Sequence, residues 1–146
     1  MGLAGFANLT NLIYAFEHMP PPTPTGEELL EPYLDTFVDD KFIDGSNGEY
    51  ASVGSAFIGL GTCASAEYIE IPTGKSLYID AREAPGDPLP FPMSAFYDSS
   101  KNYISGFTLA LGQSETITVP AGAVYFRTSA LRSYIEPTQK LKIYAV

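Results

Sequence analysis

The tightest constraint on this chain is a two-residue alternation of side-chain character between Tyr68 and Ser129, switched on and off by turn-forming residues. Ile69 and Ile71 fall on one side of an extended segment, with Tyr68 and Glu70 on the other. That is the period of a half-buried strand. Pro72-Thr73-Gly74 breaks the run, and Leu77 and Ile79 resume it. Asp98-Ser99-Ser100-Lys101-Asn102 separates two aromatic-rich runs and reads as a hairpin connection. Pro120-Ala121-Gly122 divides Ile117 and Val119 from Val124, Phe126 and Thr128. The C-terminal KLKIYAV alternates cleanly and is expected to be a final paired strand. The whole predicts an all-β antiparallel sandwich.

The upstream segments extend this reading. Strands are expected around Phe37-Val38 or Phe42-Ile43, with Asp44-Gly45-Ser46-Asn47-Gly48 as a turn. Residues 53–64 (VGSAFIGLGTCA) are apolar and glycine-rich, as in a buried strand closely approached by backbone. Glu27 to Glu31 is read as one helical turn that Pro32 stops. A chain of 146 residues has room for one core of ordinary size.

The first 28 residues are organised differently. Leu3, Phe6, Leu9, Leu12, Ile13 and Phe16 recur every three or four positions, which places them on one helix face. Gly2, Gly5, Asn8 and Asn11 lower helix propensity, so an extended arm ordered by a partner is the alternative. HMPPPTPTGEE (18–28) favours polyproline II, a semi-rigid spacer. The resulting division is an apolar anchoring arm (1–17), a proline-rich acidic spacer (18–28) and a β-sandwich domain (29–146). The competing reading folds residues 3–16 back on the sandwich as a capping helix. The first basic residue is Lys41, and no apolar run reaches the length of a membrane span, so signal peptide and membrane span both fail as readings.

Charge follows the same division. The net −9 splits into −8 for residues 1–50 and −1 for residues 51–146. A nearly neutral sandwich without a basic stripe is a poor ligand for nucleic acid. The acidic approach either keeps a linker solvated or steers toward a basic surface.

Catalytic and metal-binding patterns are thin. His18, the only histidine, sits in the spacer, outside any rigid pocket that a nucleophilic triad needs. Cys63, the only cysteine, rules out an intramolecular disulfide and a multi-cysteine metal site, and reads as a small buried side chain. Asp80, Asp87 and Asp98 are the candidates for a two-carboxylate site. Yet Asp80 and Asp98 fall at strand ends, where aspartate caps backbone amides. Four or more oxygen ligands for Ca²⁺ cannot be picked out. The expectation is a non-enzymatic protein with no cofactor.

Sugar binding is the sharper rival to a purely structural role. Tyr78, Asp80 and Arg82 alternate on the polar side of one strand, and Tyr97 and Asp98 lie beside the hairpin. Aromatic rings stack on pyranose faces while Asp and Arg bond hydroxyls. The simpler account is cross-strand tyrosine pairing. A cation–π contact between Arg127 and Tyr125, on one sheet face, accounts for that arginine.

Taken in order, YIEIPTGKSLY, AFYDSSKNYISGF and ETITVPAGAVYFRTS resemble the jelly-roll sandwich domains of bacteriophage tail-fibre and baseplate proteins. Related domains are appended to bacterial surface and glycan-active proteins. The resemblance spans roughly residues 41–145, with FIDGSNGEYAS as the first strand and turn. The chain departs from it in AREAPGDPLPFPM (81–93), which is longer and richer in proline. The resemblance implies a virion location, as a decoration, head-fibre, tail-fibre or baseplate subunit. The partners it implies are other virion proteins, capsid or tail, bound through the arm. A homo-oligomer is expected, with a trimer as the candidate stoichiometry. A host-surface glycan is the alternative ligand, and an interaction domain of a bacterial surface protein is a third reading.

Overall fold

A computed structural model describes residues 26–53, 61–84, 86 and 92–146. The anchoring candidates Leu3, Phe6, Leu9, Leu12, Ile13 and Phe16, most of the proline spacer, His18 and Asp87 lie outside the described residues. So does the centre of the apolar 53–64 segment.

Twelve strands are described: β1 (Glu27–Glu28), β2 (Phe37–Asp39), β3 (Lys41–Ile43), β4 (Tyr50–Ser52), β5 (Thr62–Ser65), β6 (Ile69–Glu70), β7 (Leu77–Asp80), β8 (Ser94–Tyr97), β9 (Tyr103–Phe107), β10 (Ser114–Ile117), β11 (Tyr125–Leu131) and β12 (Lys142–Ala145). Two short 3₁₀ helices, Glu31–Thr36 and Arg132–Tyr134, are described as well. Sheet one runs β1-β12-β7-β10, and sheet two runs β2-β5-β11-β8-β9 with β6 also on β11. Every pairing among the described strands is antiparallel. The alternation read from sequence is therefore realised as a sandwich-like pair of antiparallel sheets.

The core lies between the sheets. Leu77, Ile79, Ile143 and Ala145 face inward from sheet one, and Phe37, Cys63, Ile69, Phe96, Phe126 and Ala130 from sheet two. Each fully buried large aliphatic or aromatic side chain contributes roughly 1.5–3 kcal/mol. Phe107 links Phe96 and Phe126, with ring centroids 4.6 and 6.4 Å away. The turns are those marked in the sequence. The Lys75 N–H donates to Pro72 O and the Ala123 N–H to Pro120 O.

The domain begins earlier than residue 29. Glu27 and Glu28, assigned from sequence to the spacer, pair with Ala145 and Tyr144 at the edge of sheet one. The Glu28 carboxylate accepts from the N–H groups of Leu30, Glu31 and Ile143 and from Gln139 Nε2. Pro32 also acts in the opposite sense to the sequence reading. It sits in the first turn of the 3₁₀ helix, where its missing N–H costs nothing and its fixed φ suits the turn.

Sheet two has a second, smaller core on its outer face. The β3–β4 hairpin covers that face, with Ile43, Ala64, Ala95 and Tyr97 buried beneath it. The Ile43 N–H donates to Ser129 Oγ at 2.7 Å, fixing the hairpin to β11. The 44–48 turn then lies directly on β9. A Cβ on Gly106 would collide with the Gly45 carbonyl, so only glycine allows this approach.

Candidate functional site

β11 is the longest of the described strands, and its composition sets the chemistry of sheet two. Its core-facing residues are Phe126, Thr128 and Ala130, and its outward residues are Tyr125, Arg127 and Ser129. On one side, Ser129 to Leu131 pair with β5, whereas Tyr125 and Phe126 pair with β6. Between these stretches the ladder is breached, and side chains close it. Ser65 Oγ accepts from the Thr128 N–H at 3.2 Å. Arg127 Nε donates to Ser65 O at 3.2 Å and Nη2 to Ala66 O at 2.9 Å. Arg127 is only 5% exposed, and no carboxylate pairs with it among the described residues.

Its charge is met by aromatic faces instead. The guanidinium carbon lies 4.4 Å from the Tyr50 ring centroid and 4.6 Å from that of Tyr68, a cation held between two rings. The sequence pointed to Tyr125 as this partner. Tyr125 shares the face, but its ring packs edge-on near Tyr68, at 6.1 Å, and takes Lys101 Nζ at 5.9 Å. Strand alternation shows which residues share a face, whereas Tyr50 arrives from the β3–β4 hairpin.

Tyr97 belongs to this same box. It is 2% exposed, packs edge-to-face on Tyr68 at 4.8 Å and donates its hydroxyl to Gly48 O at 2.6 Å. Burial pushes its phenol up to about 12, partly offset by the Arg127 charge. Asp98 follows in the turn and accepts from the N–H groups of Ser100 and Asn102, both at 2.9 Å. Those bonds, led by that of Asn102, lower its carboxyl below the ordinary range. Tyr97 is thus buried with its hydroxyl committed, whereas Asp98 is half-buried with both carboxylate oxygens bonded within the turn.

Tyr78, Asp80 and Arg82 are brought together on the outer face of sheet one. Glu28, Tyr144, Tyr78 and Thr116 form one cross-strand row, and Lys142, Asp80 and Ser114 the next. The half-buried Tyr78 and Tyr144 rings lie 6.2 Å apart. Arg82 closes a two-point pair on Asp80, Nε to Oδ1 at 2.9 Å and Nη2 to Oδ2 at 2.8 Å. This hydrogen-bonded pair lowers the Asp80 carboxyl and raises the Arg82 guanidinium. Tyr144 and Lys142 complete the face. Sequence alternation within KLKIYAV put them together on the polar side of β12, yet gave no sign that β12 lies beside β7.

The tyrosine pairing expected across strands is present in both sheets, as Tyr78 opposite Tyr144 and Tyr97 opposite Tyr125. Asp80 lies on β7 of sheet one and Asp98 in the turn between β8 and β9 of sheet two, each engaged with its own partners. No group of three or more His, Cys, Asp or Glu able to hold a metal is present among the described residues. A cleft of about 370 Å³ lies at the sheet-one edge, lined by Glu27, Glu28, Leu29, Pro32, Tyr33, Glu70 and Pro72. It holds no nucleophile–base pair. No described helix is long and apolar enough to cross a membrane.

No protein-family model matches the chain, and no curated protein or solved structure matches it either.

Proposed function

We propose that this chain is a non-enzymatic structural subunit of a bacteriophage virion, a decoration, head-fibre, tail-fibre or baseplate component. Residues 1–17 anchor it to other virion proteins, residues 18–25 space it, and a jelly-roll-like sandwich is displayed. The observation that supports this reading is the use made of the polar side chains. Arg127 closes a strand breach, Asp98 caps a turn, Glu28 completes a sheet edge and Asp80 is tied to Arg82. Such a sandwich serves display rather than turnover. The described chain begins at a sheet edge, where Gly26 lies against Ala145 and Glu27 pairs with it.

The test replaces Leu9, Leu12 and Phe16 with Ser in the full chain and follows incorporation into particles. The altered chain should unfold at the same temperature as the parent but be absent from purified particles. Equal incorporation would overturn anchoring by the arm.

A second reading, attachment to host-surface glycan, is favoured by the Tyr78–Tyr144 face beside the Asp80–Arg82 pair. Glycan-array binding that is lost in both Tyr78→Ala and Tyr144→Ala supports it. Binding that survives both substitutions excludes this face.

A further inference from the structure

The sheet edges are not equally protected. At the first edge, β1 is only two residues long, and where it stops the N–H of Ile143 on β12 is taken by Glu28 Oε1 at 3.0 Å. At β2, Arg132 Nη2 donates to Phe37 O at 2.8 Å and Nε to Asp39 Oδ1 at 2.7 Å. At β9, the register slips between Phe96 and Tyr97, and the Tyr103 hydroxyl is fastened to Gly45 O at 2.8 Å. Blocking side chains and bulges of this kind keep an edge from pairing with another strand. At β10, Gly112 and Gln113 together oppose Ala81 as a bulge before the strand and Glu115 lies in register with the core residue Ile79, but no described side chain is fastened across the main chain of Ser114–Ile117.

The hydrogen-bond parity of β7 shows which β10 groups are free. Ser76 exchanges both of its bonds with Val146, so the even residues of β7 serve β12. The odd residues serve β10, and the Ala81 N–H accordingly donates to Gln113 O at 3.0 Å. Inward bonding on β10 therefore falls to Gln113, Glu115 and Ile117. The main-chain N–H and C=O groups of Ser114 and Thr116 face away from the sheet, and Thr116 and the following Thr118 are exposed.

We propose that β10 pairs antiparallel with β10 of a second copy of this chain, about a two-fold axis through Thr116. The sequence at this edge is self-complementary in that register. Thr116 meets Thr116, Ser114 meets Thr118, and each Glu115 meets Ile117 rather than another carboxylate. Hydroxyl pairs of this kind are favourable across antiparallel strands, whereas opposed like charges are not. The pairing joins the two four-stranded sheets into one and closes both open edges at once, as an isologous interface must. It also places the Tyr144–Tyr78–Thr116 rows of the two copies end to end on one continuous face. This association runs through the sandwich and does not depend on the arm. Each chain carries −9, so the pairing should strengthen as salt screens the repulsion.

The experiment uses the full-length chain in three forms. Light scattering of the parent across a range of concentrations should show twice the chain mass, reached at lower concentration in higher salt. Thr116→Lys opposes two ammonium groups across the axis without touching a bond to β7. It should remain monomeric at every concentration and unfold at the parent's temperature. Thr116→Cys, oxidised at the parent's dimeric concentration, should yield a covalent dimer. Directly opposed residues of a hydrogen-bonded pair have Cα atoms about 5.5 Å apart, within disulfide reach. Cys63 is fully buried and stays out of the reaction. A monomeric parent overturns the proposal, as does any oligomer that persists in Thr116→Lys. A dimer that Thr116→Cys fails to cross-link overturns it too.

Discussion

Replacing Arg127 with Met tests whether a guanidinium, rather than packing alone, closes the breach in the β11 ladder. Methionine fills much of the same volume and keeps an apolar contact with the Tyr50 and Tyr68 rings. It leaves the Ser65 and Ala66 carbonyls without their donors at 3.2 and 2.9 Å. A buried acceptor left unpaired costs about 1–3 kcal/mol. Loss of cation–π attraction on each ring adds about 0.5–2 kcal/mol. Against these stands relief from desolvating a charge, which in other buried ionic groups offsets much of the gain. Because water can reach the half-buried Ala66, a net loss of about 2–4 kcal/mol is expected. That is a large share of the 5–15 kcal/mol typical of a domain. In urea, at about 1–3 kcal/mol per M, the midpoint should fall by roughly 1–2 M with no change in slope. Tyrosine near-ultraviolet ellipticity reports the transition, since the chain has no tryptophan. Arg127→Lys keeps the charge but reaches one carbonyl at a time, and should fall between parent and Met. If the Met variant is as stable as the parent, the carbonyl contacts contribute nothing net and the reasoning fails.

Three further outcomes are expected. A fragment beginning at Gly26 should be more stable than one beginning at Leu29 by about 2–4 kcal/mol, because charge-assisted bonds to Glu28 are worth about 1.5–3 kcal/mol each when sheltered and less when exposed; equal urea midpoints would show β1 to be idle. With Tyr97 raised to about 12 by burial, its contribution is intact below the unfolded value near pH 10. As pH rises from about 10 to 12 the unfolded chain ionises first, and stability falls by up to roughly 1.4 kcal/mol per unit; Tyr97→Phe should abolish that part of the decline. Cys63 is buried and its thiol is pushed up to about 11, chiefly by desolvation. A thiol reagent at neutral pH should therefore label it only at the rate of unfolding, and fast labelling of the folded chain would contradict its burial.

The sequence by itself determined what is local. Alternation is a property of a single extended segment, so the inward placement of Ile69, Leu77, Ile79, Phe126 and Ile143 was readable before any partner strand was known. The turns at 44–48, 72–74, 98–102 and 120–122 were equally readable, because Gly, Pro, Asn and Asp fix backbone geometry over a few residues. Only tertiary structure decided which segment lies beside which. Arg127 draws its two ring partners from the β3–β4 hairpin and from the residue just before β6, and its carbonyls from a segment more than sixty residues away. Glu27 and Glu28 look like linker in composition and become strand because β12 offers an edge to pair with. Tyr97 and Tyr78 have equivalent local patterns. One is buried under a hairpin and the other lies half-buried on an open face, because cover is supplied by chain distant in sequence. Periodicity is encoded residue by residue, but the partners of a sheet are chosen by long-range pairing that no single segment contains.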